Sequence, residues 1–168
     1  MRAPLDEQAM IDLLPGTWIV AATNFPMWLS GRRREPRFDY TLVSRNPLVL
    51  TDDVSYIASR GKRGSEKRHL LGRDTFQRDE FVWRGTGVLR LVTSRWRVAG
   101  VSDDGTIAVI HFTKSLGTPA GVDIIVREGA AQPELRAVIA HATVDFGLTP
   151  EQFASLSWLS TRVVHASG

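Results

Sequence analysis

The sequence contains no cysteine, so disulfides, thiolate metal sites and cysteine nucleophiles are excluded together. It has no apolar run approaching the ~18 residues of a spanning helix. Its opening, MRAPLDEQAMIDLL, carries acids where a secretory leader needs an apolar core. A soluble, cytoplasmic protein without a membrane span is therefore expected. Familiar catalytic signatures are missing too: there is no Walker loop, no strand-linked G-x-G-x-x-G, no H-E-x-x-H and no G-x-S-x-G. A large excess of one charge is also lacking. The 21 Lys and Arg against 18 Asp and Glu leave a formal charge of +3, and arginine far outnumbers lysine. So small a balance is no electrostatic footprint for nucleic acid, and none is expected as a partner.

What is present is an ordinary globular composition, 43% hydrophobic and 23% charged over 168 residues. That length argues for a single domain, 1–168, with a core large enough to need no staples. No repeat, linker or low-complexity stretch divides it. After a short amphipathic opening (Leu5, Met10, Leu13, Leu14), Pro15-Gly16 stops the first helix.

Short strands then follow at 17–23, 37–43, 48–58, 66–73, 80–84, 89–98, 106–113 and 120–127. The breaks between them carry Gly, Pro, Asn or Asp, as in Arg45-Asn46-Pro47 and Asp103-Asp104-Gly105. Short connections imply antiparallel neighbours, and eight strands in a meander remove their exposed edges by closing into an up-and-down barrel. Alternation puts Phe38, Tyr40 and Leu42 on one face, and Val92, Trp96 and Val98 on one face. Residues 107–112 are apolar on both faces and need an outer cover. Two C-terminal helices supply it: a stripe of Leu135, Val138, Ile139, Ala142 and Phe146 within 133–147, and a second helix begun by Thr149-Pro150-Glu151-Gln152. The expected architecture is mainly β, an eight-stranded antiparallel barrel over about 16–128. A short N-terminal helix precedes it and two helices follow within about 133–163.

Gly16-Thr17-Trp18, after a short helix and opening the first strand, resembles the Gly-x-Trp signature of the lipocalins, and residues 21–26 (AATNFP) resemble the approach to their first large loop. The resemblance covers about residues 10–128 and implies a lipocalin-like barrel that holds a small molecule. It also implies that Trp18 packs at the closed end under a basic side chain. Arg127, ending the eighth strand beside the start of the first, is placed for that contact by topology as well. The family's Thr-Asp-Tyr motif is replaced by Val109-Ile110-His111-Phe112, and two C-terminal helices stand where the family has a helix and an extra strand.

The expected ligand is one small hydrophobic or amphipathic molecule. Its lining would draw on Phe25, Trp28, Arg32, Phe38, Tyr40, Tyr56, Phe81, Trp83, Trp96 and His111. Phe25, Met27 and Trp28 form either a lid over the mouth or a loop packed on the wall. In a small barrel, aromatic residues either fill the interior or leave room for a ligand, and each buried phenol needs a partner.

Basic residues gather on the connections after odd-numbered strands (Arg32, Arg33, Arg34, Arg37, Arg60, Lys62, Arg63, Lys67, Arg68, Arg84, Lys114). Acids (Asp74, Asp79, Glu80, Asp103, Asp104) gather at the other end. A basic rim is either a solvated edge or an attractor for an acidic head group.

A different class of function is a cofactor-free cyclase, isomerase or lyase with an acid–base pair drawn from His111, Tyr40 and Tyr56. Asp39 or Asp123 would join it if the register shifts by one. His111 is then a cavity base; otherwise it is a hydrogen-bonded core histidine. The histidines lie far apart without ligand spacing, so neither a metal nor haem nor another cofactor is expected, and the chain is expected as a monomer or homodimer.

Overall fold

The computed structural model describes residues 5–59, 61–115 and 118–159. Eight antiparallel strands form the barrel: β1 Gly16–Thr23, β2 Arg33–Arg45, β3 Leu48–Ser59, β4 Ser65–Gln77, β5 Glu80–Gly85, β6 Thr93–Val101, β7 Ile107–Thr113 and β8 Gly121–Arg127. Each pairs with the next in sequence, and β1 closes the ring by pairing with both β2 and β8. Helix α1, Glu7–Leu13, precedes β1, and α2, Pro26–Leu29, lies between β1 and β2. The expected strand 89–98 begins later, because Gly87–Leu89 forms a 3-10 turn and β6 starts at Thr93.

Period-two alternation decides what enters the barrel. Phe38, Tyr40, Leu50, Tyr56, Phe76, Phe81, Trp96, Ala108, Ile110 and Ile125 belong to the inner core. Ile107, Val109, Val122 and Ile124 point outward into a second core, covered by Ile139, Phe146, Leu148 and Leu156. The doubly apolar strands therefore do have an outer cover.

That cover is less helical than the stripe suggests. Helix α3 spans only Leu135–His141, and α4 only Pro150–Ser155. Beyond His141 the β-branched pair Thr143-Val144 disfavours helix, and the Leu148 amide instead donates to the Thr143 carbonyl at 2.8 Å. Helix α4 starts as expected, with Pro150 at its first turn and a Thr149–Gln152 capping box. Its expected run to about 163 is corrected at Ser155. Ser157–Trp158 is a short strand, β9, paired with Ala22 and Thr23 of β1, and residues 160–163 lie outside the described residues. β1 pairs with β2 only through Gly16–Ile19, so its far end has a free ladder edge that β9 takes up.

The opposite end is closed by α1 and a plug. Asp6 caps α1 by accepting from the Ala9 amide at 2.8 Å. Met10, Ile11 and Leu14 are thereby buried in the inner core. Trp18 is fully buried, its indole N–H donates to the Leu14 carbonyl at 2.9 Å, and the Arg127 guanidinium lies 4.0 Å from its ring centroid. Arg127 also donates to the carbonyls of Pro15 and Leu13.

Candidate functional site: the barrel cavity

A cavity of about 400 Å³ occupies the barrel and opens at the end away from the Trp18 plug. Its mouth is built from connections: Phe25 to Trp28 around α2, Leu89 and Val92 before β6, and Thr118-Pro119 before β8. Phe25 packs on Phe112 (ring centroids 5.1 Å apart), and Trp28 sets its edge against Tyr56 at 5.9 Å. Both are buried, so α2 roofs part of the mouth with its apolar side down.

Deeper in, the walls are aromatic. Trp96 and Tyr40 lie nearly parallel, centroids 5.6 Å apart at 26°, and Phe38 packs against Tyr40 at 6.2 Å. Trp83 lies across Gly72, where a Cβ would come within 2.2 Å of the indole nitrogen, so this wall requires glycine.

Of the residues expected from sequence, Phe25, Trp28, Phe38, Tyr40, Trp83 and Trp96 line this cavity. The others are placed elsewhere. Phe81 is fully buried beneath the cavity, stacked on Trp96 (4.6 Å) and packed on Phe76 (4.9 Å), so it is floor. Tyr56 is screened by Trp28 and by Arg33, whose guanidinium stands 5.3 Å over its ring. Arg32 is exposed, and the arginine on the cavity is Arg33. His111 shares the outward face of Ile107 and Val109 and lies near Arg97 (Nη2 to Nδ1 3.5 Å), outside the cavity. Burial and the neighbouring Arg97 push its pKa down to about 4, so the imidazole is neutral.

The rim is basic but incompletely so. Arg37 pairs with Glu128 on the barrel's outer face, and Arg68 pairs with Glu66. Asp74, expected among the acids of the far rim, is instead completely buried in the interior.

Of the interior acids, sequence reasoning missed Asp52, placed Asp74 on the rim and named Asp123 only under a register shifted by one. Asp52 lies directly across from Tyr40 on the β2–β3 ladder, and both line the cavity. Behind it Asp74 accepts the Trp96 indole N–H at 2.7 Å, and the Asp52 and Asp74 carboxyls hydrogen bond to one another. Burial, then the charge of Asp74 and its hydrogen bond, hold Asp52 well above the usual carboxylate range. Burial likewise raises Asp74 to about 7, against the opposing effect of its hydrogen bonds. Near neutrality the pair therefore retains a proton. The Tyr40 phenol is raised above its ordinary value by burial and by Asp52, Asp74 and Asp123.

Asp123, the third acid, accepts from Thr23 Oγ1 at 2.5 Å, and burial pushes it up to about 7 although hydrogen bonds from Thr23 and Trp28 oppose that shift. The signal that finds Asp52 and Asp74 is strand parity: Asp52 is in step with Leu50, Val54 and Tyr56, and Asp74 with Phe76.

No protein-family model matches the chain, and no curated protein matches it by sequence. Solved structures do match. Lobster apocrustacyanin A1 superposes with a TM-score of 0.61 at 11% identity, covering 89% of this chain and 78% of that one. Apocrustacyanin C2 gives 0.62 at 11% identity, covering 90% and 79%. The siderocalin Ex-FABP, described as acting through dual ligand specificities, gives 0.54 at 16% identity, covering 90% and 96%. At such identities the likeness is one of fold. By that fold, with its closed eight-stranded ring, N-terminal helix and Arg127-capped Trp18, the chain is a lipocalin-like β-barrel.

Proposed function

We propose that the barrel binds one small, largely apolar molecule in its cavity. The observation that carries this reading is the cavity itself: about 400 Å³, aromatic-walled, closed at one end and roofed by α2 at the other. Sites for small ligands fall in the range of ~300–1,000 Å³ and combine apolar walls with a few polar groups. Here those groups are Asp52, Tyr40 and Ser94 at depth and Arg33 at the mouth, where Arg33 suits a polar or acidic outer end of the ligand. The fluorescence of the 5 tryptophans tests the proposal during titration with an uncharged apolar probe. A change saturating at one probe per chain supports it, and no saturable change ends it.

One observation favours a second reading, cofactor-free catalysis. Tyr40 faces the cavity beside a second ionisable group, Asp52, which is itself backed by Asp74. A phenol next to a proton-sharing carboxyl pair can move a proton on a bound molecule. The pair is Tyr40 with Asp52, since His111 faces outward. Solvent deuterium entering a bound ligand in the wild type, and not in Asp52→Asn, is the expected sign of such chemistry. Its absence leaves binding alone.

A further inference from the structure

Resting on the cavity reading above, we infer that the inner end of the pocket anchors a basic nitrogen: Asp52, set beside the Tyr40 and Trp96 rings, receives a protonated amine carried on an aromatic or aliphatic body.

Several acids bear on Asp52 and on the phenol beside it. Asp74 on β4 shares a hydrogen bond with it, Asp53 and Asp39 on β3 and β2 add their charges, and Asp123 on β8 joins Asp52 and Asp74 in acting on Tyr40. The cation on the cavity wall, Arg33, is at the mouth and stacked on Tyr56. Asp52 is only 5% exposed, and no N–H or hydroxyl of the described residues donates to its Oδ1; Asp74 Oδ2 is in the same position. Beyond the hydrogen bond that Asp52 shares with Asp74, its Oδ1 is left without a donor, and a buried carboxyl oxygen left unsatisfied is costly. The partner that satisfies it comes from outside.

An ammonium group suits this site in two ways. Its N–H bonds donate to the Asp52 carboxyl as charge-assisted hydrogen bonds, and its charge is attracted by the faces of nearby aromatic rings. Tyr40 and Trp96 supply those rings within the same cavity. A metal cation is a poorer fit, since among the described residues no three ligating side chains converge. The ligand's ammonium also takes over the role of the proton held by the Asp52–Asp74 pair, so binding near neutrality expels a proton into solvent.

The test uses three probes with the same ring and different ends: 2-phenylethylamine, 2-phenylethanol and 3-phenylpropionate. Calorimetry at about pH 8 should show the amine binding at least about tenfold more tightly than the alcohol. Asp52→Asn should abolish that preference while still binding the alcohol. At about pH 7 the amine's binding enthalpy should vary with the ionisation heat of the buffer, reporting proton release. Asp74→Asn leaves the Asp52 carboxyl in the cavity and provides it with an amide donor. That variant should keep the amine preference, whether or not Asp52→Asn folds well. The inference is overturned if the alcohol or the carboxylate binds as tightly as the amine, or if Asp52→Asn retains the preference. Binding of none of the three to the wild-type protein would instead bring down the cavity reading on which it rests.

Discussion

Tyr40 and Asp52 stand directly opposite one another on β2 and β3, and both side chains line the cavity. The phenol is stacked on Trp96, and Trp96 donates its indole N–H to Asp74. The aromatic wall and the acid pair are therefore one connected unit. Tyr40→Phe keeps the stack and removes only the hydroxyl. Its expected cost to stability is about 1 kcal/mol or less. Affinity for ligands with a polar inner end should fall several-fold while wholly apolar probes bind as before. Urea unfolding and probe titration, run side by side, measure the two effects.

The closed end should behave as an independent structural device. Trp18→Ala removes a fully buried indole and its hydrogen bond to Leu14, at an expected ~3–5 kcal/mol. Arg127→Ala loses the stacking contact and strands the carbonyls of Pro15 and Leu13, for about 1–3 kcal/mol. Neither substitution should alter affinity at the mouth if the variant is assayed while folded. Unfolding midpoints give the ranking, and an Arg127→Ala variant as fragile as Trp18→Ala would contradict it.

Buried acids give stability a distinctive pH dependence. Asp74 and Asp123 are raised to about 7 in the fold and titrate at about 4 when unfolded. Between those values the folded state binds more protons than the unfolded chain, so each acid makes stability fall as pH rises from about 4 to 7, with little further change above. His111 acts in the opposite sense. Its pKa falls to about 4 in the fold from about 6.5 unfolded, so its contribution raises stability across that narrower window. Asp123→Asn isolates one acid, because an amide oxygen still accepts from Thr23. The variant should gain on the wild type as pH is raised from about 5 to 8 in parallel unfolding curves. A constant difference between the two would show that Asp123 does not titrate as described.

Much of this is legible in the amino-acid sequence. The turn residues mark out the order of all eight strands though not all their bounds, and antiparallel closure brings Arg127 to Trp18. Parity was ambiguous where a strand is apolar on both faces. His111 follows Ile107 and Val109, and only the position of the outer cover decides that this face points away from the cavity. Asp52 was hidden by its neighbour: Thr51-Asp52-Asp53 reads as a polar stretch, yet one acid faces in and the other out. The second C-terminal helix was overextended because local pattern carries no information about the free edge of β1 that recruits Ser157–Trp158.

The outer cover gives a prediction of its own. Gly100 on β6 abuts the Phe146 backbone, and a Cβ there would sit 2.4 Å from Phe146 Cα. Backbone cannot rotate away as a side chain can, so Gly100→Ala must lift the segment after α3 off the barrel. A loss of about 1–3 kcal/mol is expected. Proteolysis should show faster cleavage near residues 142–148, with the barrel itself remaining resistant.

The central claim is that a molecule occupies the space inside the barrel, and blocking that space tests it most directly. Val54 lines the cavity opposite Phe38 on the β2–β3 ladder, and Val54→Trp would place an indole in it. Titrating N-phenyl-1-naphthylamine into wild type and variant, both confirmed as folded by circular dichroism, gives the comparison. Saturable binding of one probe per chain to the wild type, lost or weakened at least about tenfold in Val54→Trp, is the predicted result. Equal binding to both proteins would place the probe outside the barrel and contradict the claim.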